Sequence, residues 1–281
     1  MQEQVCKNCG NHFTGKFCNN CGEKVYNEHS KSFRHLFEEA FHFLTHLDSK
    51  FLKSVKLLLF RPGFLSVEFC RGVRKKYFKP ISLFLIGVVL YLIFPLTQGL
   101  NMSFTSTVSH FRFNGMPVVE RIAEKKMAGK NMSAEMVAAK YDSKSPKFAK
   151  ILLFIILPLA GLSLQMLFYK RGKYYFDHFI LGTELTTFFI YATFLIMSAF
   201  LKLSGIVYEY VSGKPYYYDD WVSGPIAILL LLAAWTSAIK RFYKVSTAHA
   251  FLKALLFLIL FTIITFVIYR FILFLIVMLF I

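Results

Sequence analysis

The sequence predicts an all-α polytopic membrane protein of about five transmembrane helices. A small four-cysteine knuckle stands at its N-terminus, and an amphipathic interfacial helix joins knuckle to spans. Three observations predict this. The 281-residue chain is 56% hydrophobic and 18% aromatic, more than a soluble core of that length needs. Apolar runs long enough to cross a bilayer recur through it, and two Cys-x-x-Cys-Gly turns open it. The divisions that follow are residues 1–24 for the cysteine module and 25–80 for the juxtamembrane helices and a basic patch. Residues 81–281 form the transmembrane domain, with an outer loop at 99–147.

The formal net charge of +17 would suggest nucleic acid in a soluble protein. Here Lys and Arg crowd beside apolar runs, so the partner the charge predicts is a bilayer with anionic headgroups, and nucleic acid is disfavoured. The opening MQEQVCKNCG is polar and has no apolar core, which predicts that nothing is cleaved and that the first residues stay in the cytosol.

Residues 6–24 read CKNCGNHFTGKFCNNCGEK. Cys6 with Cys9, and Cys18 with Cys21, aim two thiolates each at a common point, and Gly10 and Gly22 permit the bend behind them. Two such turns close a tetrahedral four-thiolate site. Zn2+ in a zinc-ribbon-like module is the expected ion, and its role is structural because no ligand position stays open. A cytosolic compartment disfavours disulfides. Eight residues between the pairs leave room for a minimal hairpin, with Asn11 and Gly15 available for turns. Phe13 and Phe17 are expected as the module's hydrophobic filling, although with Lys7, Lys16 and Lys24 they could present a basic-aromatic face. The fifth cysteine, Cys70, is expected to serve packing.

From Phe33 to Leu59 apolar residues recur at helical spacing, opposite Arg34, Glu38, Glu39, Lys50, Lys53 and Lys56. Ser30 or Ser32 can cap this amphipathic helix. His42 and His46 lie one turn apart, with His35 nearby, and are read as interfacial rather than metal-binding. Pro62 and Gly63 end the helix, and a short piece, Phe64 to Arg71, leads into a basic patch of Arg71, Arg74, Lys75, Lys76 and Lys79 at the membrane surface.

This order of features resembles a bacterial membrane-protein family, largely of Bacteroidota, known as domain of unknown function 3667. The matching positions are Cys6, Cys9, Cys18, Cys21, Arg61, Pro62, Gly63, Gly72, Arg74, Tyr77 and Pro80, with a weaker match at YYFDHFILGTELTTFF. Where the family carries Gly-Lys-Arg, this chain has Gly72-Val73-Arg74. The resemblance implies an inner-membrane location and brings no known activity.

Five runs are read as spans, at about 81–98, 148–168, 178–201, 221–239 and 249–270. Near their ends, twelve basic residues fall on one side, namely the basic patch with Lys170, Arg171, Lys173, Lys240, Arg241, Lys244 and Lys253. Six fall on the other, namely Arg112, Lys140, Lys144, Lys147, Lys202 and Lys214. The N-terminus is therefore expected inside and the C-terminus outside. In the outer loop, Pro117 and Gly129 bracket one short helix, and a second starts after Ser133. The aromatic stretch YEYVSGKPYYYDDW is read as an interfacial belt.

Ionisable groups at depth form a candidate intramembrane polar site: Asp177, His178, Glu184 and Arg270. Thr183, Thr186, Thr187 and Tyr191 continue a polar edge beside Glu184. Arg270 is expected either to snorkel outward, with residues 271–281 lying on the membrane, or to pair with Glu184. No metalloprotease, nucleophile-elbow or phosphate-loop motif is present, which argues against an enzyme. The leading expectation is a membrane-anchored interaction, scaffold or sensor protein with a cytosolic or membrane protein partner. The alternatives are a transporter or channel component with a polar path around Glu184, and an intramembrane lipid-modifying enzyme using His178 with Glu184 or Asp177.

Overall fold

The computed structural model describes residues 3–23, 49–94, 102–113, 115–169, 172–214, 216 and 220–281. The first part of the expected amphipathic helix, with His35, His42 and His46, lies outside the described residues, as do Lys24, Pro95, Lys170 and Arg171. Two short strands, β1 (Glu3–Val5) and β2 (His12–Thr14), pair antiparallel with Val5 opposite His12. This hairpin encloses the first cysteine pair, whereas the sequence placed it between the two pairs. The first Cys-x-x-Cys-Gly turn is itself the connection.

Among the described residues the remaining elements are helices. Helices α1 (Ser49–Phe60) and α2 (Phe64–Arg71) flank the Arg61-Pro62-Gly63 break where the sequence put it. Helix α3 (Pro80–Ile93) is apolar but has only 14 residues. Then come α4 (Phe104–Phe113) and α5 (Val118–Lys130). Next follow two long helices, α6 (Ala134–Phe168) and α7 (Tyr175–Ser212), then α8 (Asp220–Tyr243) and α9 (Thr247–Phe280). Four helices are long and apolar enough to cross a membrane, with α8 qualifying over Ser223–Tyr243. At 1.5 Å per residue α6, α7 and α9 run to roughly 50–57 Å, well beyond a hydrocarbon core of about 30 Å.

The differences from the expected boundaries have local causes. Helix α6 absorbs both the second outer helix and the second span. Ser133 caps it, accepting the Met136 N–H at 3.2 Å, and Pro146 sits inside without ending it. One tight 3-10 turn, Leu153–Ile155, precedes Pro158, whose ring cannot tolerate a regular carbonyl four residues back. Asn131, at φ 48°, closes α5 rather than Gly129. Helix α9 continues through Arg270 to Phe280, so residues 271–280 extend the last helix instead of turning onto the surface. Wider π-helical stretches interrupt α7 at Ile190–Met197 and α9 at Ile263–Ile268.

The chain divides into two compact units. One contains Met1–Leu96 and Ala160–Leu258; the other contains Thr97–Leu159 and Ile259–Ile281. In the first, α7 is buried from Phe176 to Phe194 against α2, α3 and α8. Gly161 and Gly182 let α6 and α7 touch backbone to backbone: a Cβ on Gly161 would stand 2.8 Å from the Phe179 Cα, and one on Gly182 would stand 2.8 Å from the Gly161 nitrogen. Gly87 of α3 lies under the Tyr191 ring, whose hydroxyl donates to the Leu83 carbonyl at 3.1 Å. In the second unit, Tyr141 and Phe274 pack at 6.0 Å, and the Tyr269 hydroxyl donates to the Ala149 carbonyl.

Gly161→Leu should therefore force α6 off α7, whereas Gly129→Leu, in open space, should be neutral. Thermal melts in detergent should show a loss of about 1–3 kcal/mol for the first, the usual cost of overpacking, and less than about 0.5 kcal/mol for the second.

Candidate metal centre and its seat

The two knuckles are built alike. The Cys6 carbonyl accepts the Gly10 N–H and the Cys6 N–H donates to the Asn11 carbonyl, both at 2.8 Å; Cys18 does the same with Gly22 and Glu23. Gly10 (φ 76°) and Gly22 (φ 66°) supply the left-handed step that closes each turn. The four sulfurs all lie within 4.8 Å of one another, with Cys6–Cys21 at 3.5 Å and Cys9–Cys18 at 3.6 Å. A tetrahedron of thiolates with metal–sulfur bonds of about 2.3 Å needs edges of about 3.8 Å, so the cage could hold one metal ion. Cross-knuckle amides support it, since Asn20 Nδ2 points at the Cys9 sulfur at 3.8 Å and the Asn8 side chain bonds that of Cys21.

The thiols titrate apart, as sulfurs sharing one small site must. The Asn11 N–H lowers Cys9, yet burial and the three neighbouring sulfurs push it up to about 11. Burial acts to raise Cys18, but the N–H groups of Cys21 and Asn20, with the neighbouring sulfurs, bring it down to about 6. A cation would remove this conflict by stabilising all four thiolates together. Phe13 fills the module beneath Cys6 and Cys18, but Phe17 is 58% exposed, contrary to its expected role as filling.

The module is seated on the basic segment after α2. Glu23, which is buried, accepts the Lys75 N–H at 3.1 Å, and Lys75 Nζ donates to the Cys21 carbonyl at 3.4 Å. The other basic residues are placed by rings and helix ends. Arg74 lies over the Phe69 ring at 4.6 Å and Lys76 over Tyr77 at 5.6 Å, while Arg71 pairs with Glu68 at 3.0 Å. Lys79 is buried at the start of α3. Phe78 donates its N–H to the Ser54 hydroxyl of α1, which holds the segment from the other side.

The intramembrane candidates have separate partners. Glu184, 1% exposed, accepts the Gly63 N–H on Oε1 at 2.8 Å and the Ser66 N–H on Oε2 at 2.7 Å, so a side chain of α7 caps α2. Arg241 of α8 donates to the Pro62 carbonyl, and a Cβ on Gly63 (φ 80°) would strike Ala238 at 2.7 Å. Asp177 accepts the Tyr174 N–H and caps its own helix. His178 Nδ1 lies 2.7 Å from the Tyr243 hydroxyl, whose ring stacks on Phe168 at 3.8 Å. The threonines of the polar edge donate to their own helix, Thr183 to Phe179, Thr186 to Gly182 and Thr187 to Thr183. Arg270, in the second unit, is buried with its guanidinium 4.7 Å from the Phe266 ring centre. His110 sits beside the Phe266 carbonyl, and burial followed by the Arg270 charge lowers its pKa. Cys70 is half-buried and lines a cavity rather than the core.

Sequence reasoning missed Glu23 and Lys75 as the seat of the knuckle, and Ser54 and Arg241 as clamps. Only the acidic residue directly after the second knuckle glycine hinted at any of them.

Fold and site define a helical membrane protein that carries a four-cysteine knuckle able to bind a metal ion. The family model described as protein of unknown function (DUF3667) matches residues 48–92, which run from the start of α1 to the end of α3. The resemblance carried by Arg61-Pro62-Gly63, Gly72, Arg74, Tyr77 and Pro80 is thus shown over that stretch, while the four cysteines and Glu184 lie outside it. No curated protein and no solved structure matches the chain.

Glu184→Gln keeps the shape of the side chain but turns an amide NH2 toward one backbone donor. It should lower stability by about 1–3 kcal/mol, read as an earlier melt in detergent. A melt equal to that of the wild type would show that the carboxylate does not hold α2.

Proposed function

We propose that the protein is a metal-dependent interaction module fixed to the cytosolic face of a bacterial inner membrane, with its N-terminus inside and its C-terminus outside. The observation that carries this reading is the seated four-thiol cage, whose Glu23 and Cys21 backbone engage Lys75 beside the first apolar helix. Zn2+ suits the cage, because four thiolates in a closed tetrahedron favour a soft, redox-inert ion with no open position. Orientation follows from the excess of Lys and Arg on the knuckle side. The module also carries exposed Phe17 next to exposed Lys16, an aromatic-basic pair suited to a cytosolic protein partner.

A polar route around Glu184 has less support, since both carboxylate oxygens hold backbone amides and the neighbouring threonines bond their own helix. An intramembrane enzyme would need a space beside His178, which instead meets Tyr243.

Two measurements test the proposal. Purified protein should carry one zinc per chain by elemental analysis, and Cys9→Ser/Cys21→Ser should carry none; zinc-free wild type with four titratable thiols would refute the assignment. In affinity capture from membranes, a protein should co-purify with wild type and be lost with both the double mutant and Phe17→Ser. A capture set identical in all three would remove the recruiting role.

A further inference from the structure

A cavity of about 360 Å³ lies between the knuckle and the C-terminal end of α2, lined by Lys7, Glu68, Cys70, Arg71 and Val73. Its size falls in the range of small-ligand pockets, about 300–1,000 Å³. Lys7 comes from the knuckle, between Cys6 and Cys9, so the cage that orders those cysteines also fixes its backbone. Its stem crosses Gly72 (φ 102°), where a Cβ would stand 3.4 Å from Lys7 Cδ and 3.9 Å from Nζ. From α2, Arg71 projects into solvent with its side chain 70% exposed, while the Glu68 side chain is 16% exposed and accepts from Arg71 at 3.0 Å. Two cations and one largely buried carboxylate therefore converge on one space.

Position narrows the ligand. Helix α2 packs against the beginning of α7, with Phe69 stacked 6.4 Å from Phe176, and the chain after Gly72 leads directly into apolar α3 at Pro80. The cavity thus stands beside the segment that enters apolar α3, and on the membrane reading proposed above this places it near the lipid headgroups. A phosphodiester would take charge-assisted bonds from Lys7 and from the Arg71 fork. Glu68 already holds the Arg71 guanidinium at 3.0 Å, so a phosphate that draws the fork away leaves the carboxylate in need of a replacement cation. A primary ammonium two carbons from the phosphate meets that need by donating to Glu68.

We propose that this cavity binds the zwitterionic headgroup of an aminophospholipid of the inner leaflet, with phosphate on Lys7 and Arg71 and ammonium on Glu68. The proposal rests on the reading of the knuckle as a metal module at the cytosolic membrane surface. It deepens that reading, because the metal cage then supplies one wall of a lipid site.

The test uses full-length protein in phosphatidylcholine nanodiscs containing either phosphatidylethanolamine or phosphatidylglycerol. Native mass spectrometry then counts the lipid retained after release into detergent. Wild type should keep one phosphatidylethanolamine per chain, about tenfold above the other two lipids. Glu68→Gln should reduce that preference to the phosphatidylglycerol level, and Arg71→Gln, at an exposed position, should lower retention of both without shifting the melt. Equal retention of phosphatidylglycerol and phosphatidylethanolamine by wild type would overturn the proposal. So would unchanged retention in both variants, or displacement of the lipid by inorganic phosphate as readily as by soluble phosphoethanolamine. Zinc measured in the same samples separates the two readings. Zinc without lipid selectivity removes the lipid site alone, and lipid selectivity without zinc removes the metal reading alone.

Discussion

The contact on which the knuckle end of the protein depends is the Glu184 carboxylate against the backbone N–H groups of Gly63 and Ser66. An eight-residue helix such as α2 does not persist by itself, because so short a helix barely repays its nucleation cost. A buried carboxylate is equally costly without donors. Placed together, each removes the other's penalty: the N-terminal amides of α2 supply two donors and a partial positive charge, and Glu184 fills the cap that Gly63 has no side chain to provide. Gly63 is required twice over, for its positive φ and for its contact with Ala238. The Pro62 carbonyl, freed by the turn, is taken up by Arg241. The Arg-Pro-Gly signature is therefore a seat for a tight turn pressed into the ends of α7 and α8.

From that seat the order propagates toward the knuckle. Helix α2 places Phe69 under Arg74 and sets Tyr77 against Phe64 at 5.5 Å, so the basic segment is fixed by rings instead of lying loose on the surface. Lys75 then presents an N–H and an ammonium to Glu23 and Cys21. Gly22 is required for the positive φ that closes the second knuckle, and the flexible end of Lys75 packs against it, 2.6 Å from where a Cβ would stand. A metal ion in the cage would order the Cys21 whose carbonyl Lys75 holds, so metal occupancy would bear on the placement of the basic segment through Cys21, beside the Glu23 link.

Much of the fold was legible in the sequence because it rests on local rules. The Arg-Pro-Gly break, Ser133 as a cap and the cysteine turns all follow from residue type and nearest neighbours. What stayed hidden depends on partners far along the chain. Glu184 looked like an ion site because an acid at depth has few benign explanations, and no periodicity reveals that an amide pair 118 and 121 residues away satisfies it. Phe17 looked like filling because a small module has few apolar residues, yet Phe13 with Cys6 and Cys18 already completes its interior. Helix ends were misjudged where Gly129 competed with Asn131 and where polar residues before 148 concealed a helix continuous with the span.

Helix α7 shows how little its polar content implies about transport. Thr183, Thr186 and Thr187 turn their hydroxyls back onto carbonyls one turn earlier, which removes them as donors to anything passing alongside. Asp177 caps its own helix, His178 meets Tyr243 and Glu184 holds α2. Each is an assembly contact between α7 and its own or a neighbouring segment, and each lies toward the end where the knuckle is seated. Farther along, Thr193 bonds the Phe189 carbonyl and Ser198 bonds that of Thr193, across the wide turn where carbonyls lose their regular partners. Polar groups in α7 thus satisfy backbone and join helices. Among the described residues, the chemistry left open to other molecules lies at the knuckle end, in the thiol cage, exposed Phe17 and the charged cavity beside Lys7.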